Sequence, residues 1–157
     1  MDLYEVLNEL NIKYDEISHK ALYTIEDALN ENITSKINGI ECKNLFVKYK
    51  NNYYLIFMDS NKKANLKSIA RLLNVQKLSF ASFQELKEIL GLEIGSVTPM
   101  GIINDKNNLV TLLLDKNLKN KNVLVHPIVN TKTISIKFED LIKFIKYLNH
   151  KYIMEEL

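Results

Sequence analysis

The stretch LFVKYKNNYYLIFM, residues 45–58, decides the fold. Two runs rich in aromatic and β-branched residues, Leu45 to Tyr49 and Tyr53 to Met58, flank Lys50-Asn51-Asn52. Such runs around a short polar break read as a β-hairpin. Downstream, Asn65 can cap a helix that carries Leu66, Ile69, Ala70 and Leu73 on one face. Val75 to Phe80 reads as a short strand. Ser82 and Glu85 form a capping box for a helix with Leu86, Ile89 and Leu90, which Gly91 is placed to end. Ile102-Ile103 and Leu109 to Leu114 read as a second hairpin around Asn104 to Asn108. Val123 to Val125 and Thr131 to Ile136 extend the sheet, and a closing helix runs from about Phe138 to Leu148. Upstream, Asp2 with Glu5 opens a helix carrying Leu3, Val6, Leu7 and Leu10. Ile12 to Ile17 is extended, and Thr24 opens a short helix with Glu26 and Asp27 in its first turn. Strands thus come in hairpins, with helices between groups. The pattern predicts an α+β fold, with a mixed, largely antiparallel central sheet flanked by helices.

The chain has 157 residues, 46% of them apolar, and only four Gly and two Pro. No linker composition interrupts it, so one domain over 1–157 with a substantial core is expected. The first residues lack the basic stretch and apolar run of a signal peptide, and no segment is long enough to span a bilayer; a cytoplasmic setting follows. A lone Cys42 excludes an internal disulfide framework and a Cys-based zinc site. The spacing of His19, His126 and His150 suggests no metal, and the glycines form no dinucleotide or phosphate loop, so no cofactor is expected. Net charge is +2, but its distribution is uneven. Nine acids against three lysines give residues 1–41 a net of −6. Residues 43–71 carry six lysines and Arg71 against Asp59, a net of +6. That segment suits a phosphate backbone, although in a Lys-rich chain it is equally a solvated face.

Four places remain for chemistry. In Cys42-Lys43-Asn44, a lysine enters an apolar strand. Its ammonium either snorkels to water from a strand end or points into a cleft, where it would hold a carbonyl or phosphate oxygen. Strand alternation puts Cys42 and Lys43 on opposite faces, and Cys42 reads as a small buried hydrophobe. The loop Gly95-Ser96-Val97-Thr98-Pro99-Met100-Gly101 offers N–H groups and hydroxyls that would suit a ribose or carbonyl, or it is an ordinary connection. His126 shares a face with Leu124 and Ile128, as a core or a site histidine. Asn130-Thr131-Lys132-Thr133 is a polar cluster that binds a ligand or only satisfies a turn.

Taken in order, these segments resemble the YbaK/ProX family of aminoacyl-tRNA editing domains, related to the editing insertion of bacterial prolyl-tRNA synthetase. The resemblance runs from about His19 to Leu148. It rests on Lys43-Asn44-Leu45-Phe46, Leu78-Ser79-Phe80-Ala81, Gly95-Ser96-Val97-Thr98-Pro99, Asn104-Asp105 and His126-Pro127-Ile128-Val129-Asn130-Thr131. Within the family, the chain is most similar to free-standing alanyl-tRNA(Pro) deacylases. The resemblance implies hydrolysis in trans of the ester joining a wrong amino acid to the 3′-terminal adenosine. It implies catalytic roles for Lys43, as a positioning cation, and Asn44, which orients the aminoacyl group. A substrate-binding set of Tyr23, Gly95, Ser96, Thr98, Pro99, Met100, Gly101, His126, Asn130 and Thr131 follows from it. The expected partners are the acceptor end of mischarged tRNA(Pro) and prolyl-tRNA synthetase, with no membrane. Deacylation of Cys-tRNA(Pro) or another small-amino-acid ester, or a non-catalytic aminoacyl-tRNA sensor, are the alternatives.

Overall fold

The computed structural model describes residues 2–157. The stretch at 45–58 lies in a hairpin of β2 (Ile40–Tyr49) and β3 (Asn52–Asp59), preceded by α1 (Leu3–Glu9), β1 (Asp15–Ser18), α2 (Ile25–Asn30) and α3 (Ile33–Lys36). Then come α4 (Leu66–Leu72), β4 (Ser79–Phe80), α5 (Phe83–Leu90), β5 (Val110–Asp115), β6 (Asn122–Val125), β7 (Lys132–Lys137), α6 (Phe138–Tyr147) and β8 (Tyr152–Glu155). The strands form one sheet in the order β1-β7-β6-β2-β3-β5-β8, with β4 added to β2. Four pairings are antiparallel (β1·β7, β6·β7, β2·β3, β2·β4) and three are parallel (β2·β6, β3·β5, β5·β8).

The helix starts follow the local chemistry. The Asp2, Thr24, Asn65 and Ser82 side chains each accept the N–H three residues on, and Thr24 and Ser82 complete capping boxes with Asp27 and Glu85. Gly91 ends α5 at φ 63°, where a Cβ is disfavoured. One expectation is corrected. Ile102-Ile103 form no hairpin with Leu109–Leu114. Pro99–Asn104 is a 3₁₀ helix that Thr98 caps, and β5 runs parallel between β3 and β8. Proline at the first position fits a helical turn, and the buried Asp105 ties off the loop by accepting from Leu109 and Val110 N–H at 3.0 and 2.9 Å.

Alternation along β2 and β3 sorts side chains onto two faces. Phe46, Leu55 and Phe57 join the main core beneath α1, α5 and α6, with Met100, Phe138, Leu141 and Phe144. On the opposite face Val47, Ile56, Met58 and Leu113 pack under Ile69 of α4. A separate small cluster of Leu22, Ala28, Ile33, Ile37 and Leu124 packs under α2 and α3. Two small layers therefore share one face of the sheet. Beneath that face, β2 and β6 pair only at Ile40↔Val123 and Glu41↔Leu124 before they part.

Candidate functional site

The parting of β2 and β6 opens a cleft of about 390 Å³. Its lining is mostly apolar, and hydrogen-bond parity explains why main-chain polar groups nevertheless face it. The hairpin closes at Tyr49↔Asn52, and Ser60 N–H bonds to the Glu41 carbonyl at 2.9 Å, so odd-numbered β2 residues bond to β3. Even-numbered ones turn their main chain the other way. There β6 reaches only to Glu41, and the next contact is Ala81 N–H on the Phe46 carbonyl, at 3.0 Å. Asn44 falls in the gap between, with its N–H and C=O turned toward the cleft.

The gap passes through the sheet, so residues of both faces line it. Cys42 and Asn44 come from the main-core side, and Glu41, Lys43 and Leu45 from the side of α2, α3 and α4. The expectation that Cys42 and Lys43 point to opposite faces agrees with this packing, but both still border the cleft. Burial pushes the Cys42 thiol up, the nearby Asp59 charge adds to the shift, and its S–H lies 3.4 Å from the Ile40 carbonyl, which together disfavour the thiolate.

The Lys43 ammonium donates to the main-chain carbonyl of Lys62. Lys62 is itself held: its ammonium lies 2.8 Å from the fully buried Asp115 carboxylate and 2.8 Å from the main-chain oxygen of Leu157. The orientation of Lys43 thus depends on strand β5 and on Leu157. Beside it, the Asn44 Oδ1 is buried and is the one buried side-chain polar atom among the described residues without a hydrogen bond.

His126 borders the cleft just beyond β6. Its Nδ1 lies 3.0 Å from the Lys132 carbonyl, which can only accept, so Nδ1 carries the proton and Nε2 is left as an acceptor. Burial, followed by the neighbouring His19, shifts the imidazole toward its neutral form despite that bond. The His19 and His126 rings meet edge-on at 6.3 Å, and His19 Nε2 pairs with the Thr133 hydroxyl at 2.8 Å. Ile128 does not share the His126 face. It turns to φ 73° and packs on the main core, a conformation costly for a β-branched residue.

The opposite wall comprises Leu22, Tyr23 and Gly95. Gly95 has φ 83°, and a Cβ there would lie 2.5 Å from the Leu22 carbonyl, so only glycine lets the loop approach this closely. Asn130 supports the same wall: its Nδ2 donates to Leu22 O at 3.1 Å, and its carbonyl accepts Leu22 N–H at 3.1 Å. The Thr131 carbonyl accepts His19 N–H. Of the residues expected to bind substrate, Tyr23, Gly95 and His126 line the cleft with Lys43 and Asn44. Asn130 and Thr131 stand behind its wall. Ser96 closes a turn onto Glu93, and Thr98, Pro99, Met100 and Gly101 are buried in the 3₁₀ segment, Met100 in the main core. Thr133, the last residue of the polar cluster named from the sequence, lines the cleft, and so does Glu41, which was not named as a site residue. Glu41 was legible, because it lies two residues before Lys43 on the same strand face. Thr133 was legible as part of a polar cluster, but its place at the cleft comes from pairing across the sheet.

Much of the basic segment is committed to the fold. Lys48 pairs with Glu85 at 2.9 Å and Lys62 with Asp115, while Lys63, Lys67 and Arg71 on and before α4 are exposed. Among the described residues, no cluster of His, Cys, Asp or Glu could hold a metal ion, and no helix is long and apolar enough to cross a membrane.

Residues 19–144 match the family model described as the aminoacyl-tRNA editing domain. The prolyl-tRNA editing protein ProX of Acetoanaerobium sticklandii is 38% identical over 143 residues, which cover 89% of this chain and 86% of that one. A Danio rerio prolyl-tRNA synthetase associated domain-containing protein is 30% identical over 153 residues, covering 95% and 82%. The crystal structure of a proposed trans-editing enzyme for prolyl tRNA synthetase superposes with a TM-score of 0.71 at 17% identity, covering 97% of this chain and 92% of that one.

Proposed function

The chain belongs to the aminoacyl-tRNA editing domain family, and from that premise we propose that it deacylates mischarged tRNA in trans. The substrate we assign is the alanyl ester on the 3′-terminal adenosine of tRNA(Pro). The observation that carries the reading is the Asn44 Oδ1. A buried acceptor without a donor costs ~1–3 kcal/mol, which a ligand bearing N–H groups would offset. The α-ammonium of an aminoacyl ester is such a ligand.

In this reading the amino acid enters the gap between β2 and β6 with its ammonium toward Asn44. Lys43 holds an oxygen of the ester or of the terminal phosphate, which requires its ammonium to exchange the Lys62 carbonyl for substrate. The Asn44 main-chain N–H, freed from strand pairing, is placed to meet the charge that builds on the ester oxygen. Water adds to the carbonyl carbon, the bond to the ribose oxygen breaks, and that oxygen takes the proton the water gives up. Free alanine and intact tRNA result. An ester is already activated, so positioning and oxyanion stabilisation supply much of the acceleration. Selectivity comes from excluding the proline ring, because steric exclusion discriminates more strongly than the ~1–3 kcal/mol of one favourable methylene. The exposed Lys63, Lys67 and Arg71 then face the phosphates of the acceptor arm that prolyl-tRNA synthetase has released.

The test is a deacylation panel of Ala-, Cys- and Pro-tRNA(Pro) with the purified protein. Faster loss of Ala-tRNA(Pro) than of the other two supports the assignment. Preference for Cys-tRNA(Pro) moves the substrate, and tight binding of all three without hydrolysis replaces the enzyme with a sensor.

A further inference from the structure

The cleft holds one acid that the reaction as written does not use. Glu41 borders it from the same face of β2 as Lys43, yet no hydrogen bond or ion pair joins its carboxylate to any described residue. Ile25 and Ala28 of α2 also line the cleft, and two acids in and just after that helix are committed. Asp27 accepts from Tyr23 and Thr24 N–H at 2.9 and 3.2 Å, and Glu31 from Lys20 N–H at 3.2 Å. The nearest cation on its strand, Lys43, donates to Lys62 instead. Partial burial raises the Glu41 carboxyl above its ordinary value, as expected of an acid with no compensating partner.

Glu41 is also not the only unused acceptor. Asn44 Oδ1 is buried without a donor, and His126 is left with Nε2 as an acceptor. Three residues with unused acceptors, one of them anionic, line one cleft whose single ammonium is already engaged. A ligand that completes this arrangement brings a cation with several N–H donors.

We propose that Glu41 is a specificity-determining residue that recognises the free, charged α-ammonium of the aminoacyl group, so that esters lacking that charge are rejected. The inference rests on the deacylase reading above and deepens it. Its physical content is a requirement for charge, separate from the size discrimination between alanine and proline. Alanyl esters whose nitrogen has been acylated, and esters of α-hydroxy acids, fall outside the substrate class. The carboxylate would also offset the repulsion between the substrate's ammonium and Lys43.

The experiment compares alanyl-tRNA(Pro) with lactyl-tRNA(Pro), which places a hydroxyl where the ammonium stands and adds no bulk. N-acetylalanyl-tRNA(Pro) serves as a second uncharged substrate. Single-turnover rates are divided by the spontaneous hydrolysis rate of each ester, because the ammonium also activates the carbonyl. Wild-type protein is expected to favour alanyl over lactyl ester by at least about tenfold, the scale of one hydrogen bond to a charged group. Glu41→Gln, which keeps the shape and removes the charge, is expected to collapse that ratio toward one while melting within a degree or two of wild type. Glu41→Asp should restore part of it. Equal normalised rates on alanyl and lactyl esters in the wild type would overturn recognition of the ammonium and leave the deacylase reading standing. A preference that survives intact in Glu41→Gln would overturn the role of Glu41. Failure to hydrolyse any of the esters would overturn the deacylase reading, and this inference with it.

Discussion

Replacing Asn44 with leucine is expected to make the protein more stable and less active. The side chains are similar in size, and Asn44 sits opposite Phe57 in the β2–β3 register with its Oδ1 buried and unpaired. Removing an unsatisfied buried carbonyl recovers part of its ~1–3 kcal/mol desolvation cost. The leucine methyls add apolar contact beside the main core, while the lost amide N–H groups leave no described partner unpaired. A gain of about 1–2 kcal/mol is the result. For a chain of this length each kcal/mol moves the melting temperature by about 2–4 °C, so the variant should melt about 2–8 °C higher. Urea unfolding should give a higher midpoint at an unchanged slope. Single-turnover deacylation should fall by about 10- to 100-fold, the worth of a hydrogen bond to a charged group. A variant that melts at or below wild type and keeps its activity would refute the reasoning. The orphan oxygen would then cost the fold nothing and do nothing for a ligand.

Asp115→Asn should lower the melting temperature by about 4–10 °C, because it strips a fully buried carboxylate from Lys62; Lys62 is a third exposed and recovers some hydration, which holds the loss below the ~3–5 kcal/mol of a fully buried pair. Its deacylation rate should fall as well, since the Lys62 carbonyl that orients Lys43 is no longer fixed, and thermal melts paired with rate measurements check both. Gly95→Ala should cost about 1–3 kcal/mol, from strain at φ 83° and a Cβ 2.5 Å from the Leu22 carbonyl, and should raise KM more than it lowers kcat because Tyr23 is displaced. Glu85 should matter in acid. Its bonds from Ser82 N–H, then from Tyr53 and Lys48, lower its carboxyl from an ordinary 4.5 to about 2. The folded value lies below the unfolded one, so the contribution is present above pH 4.5 and lost as pH falls toward 2. Urea titrations should therefore find wild type and Glu85→Gln converging over that window.

The parts of the fold legible in the sequence are those set by local chemistry. Asn65 and Ser82 accept the N–H groups that their positions suggested, and the apolar runs on either side of Lys50 pair as a hairpin because the turn leaves them no alternative partner nearby. What stayed hidden depends on distant pairing. Val110–Asp115 reads as half of a hairpin, but its two partners are parallel strands, one of them from the residues after His150 that lie beyond the matched family region. An apolar run announces a strand and not its neighbours. The cleft follows the same division. Lys43, Asn44 and Glu41 sit together on one strand, whereas the pairing of His19 with Thr133, and the dependence of Lys43 on Asp115 and Leu157, come from residues far apart in the chain. Gly95 to Gly101 reads as one continuous binding loop. Its first residue reaches the cleft while Met100 enters the core, because the proline-led 3₁₀ turn carries the chain inward.

Single-turnover deacylation of Ala-tRNA(Pro), by wild type and by Lys43→Ala, with Pro-tRNA(Pro) as control, tests the central claim most directly. The wild type should release alanine and spare proline. The Lys43→Ala protein should be slower by at least about 100-fold, or ~2.7 kcal/mol of transition-state stabilisation, at an unaltered melting temperature. Near-full activity in a folded Lys43→Ala protein would contradict the account.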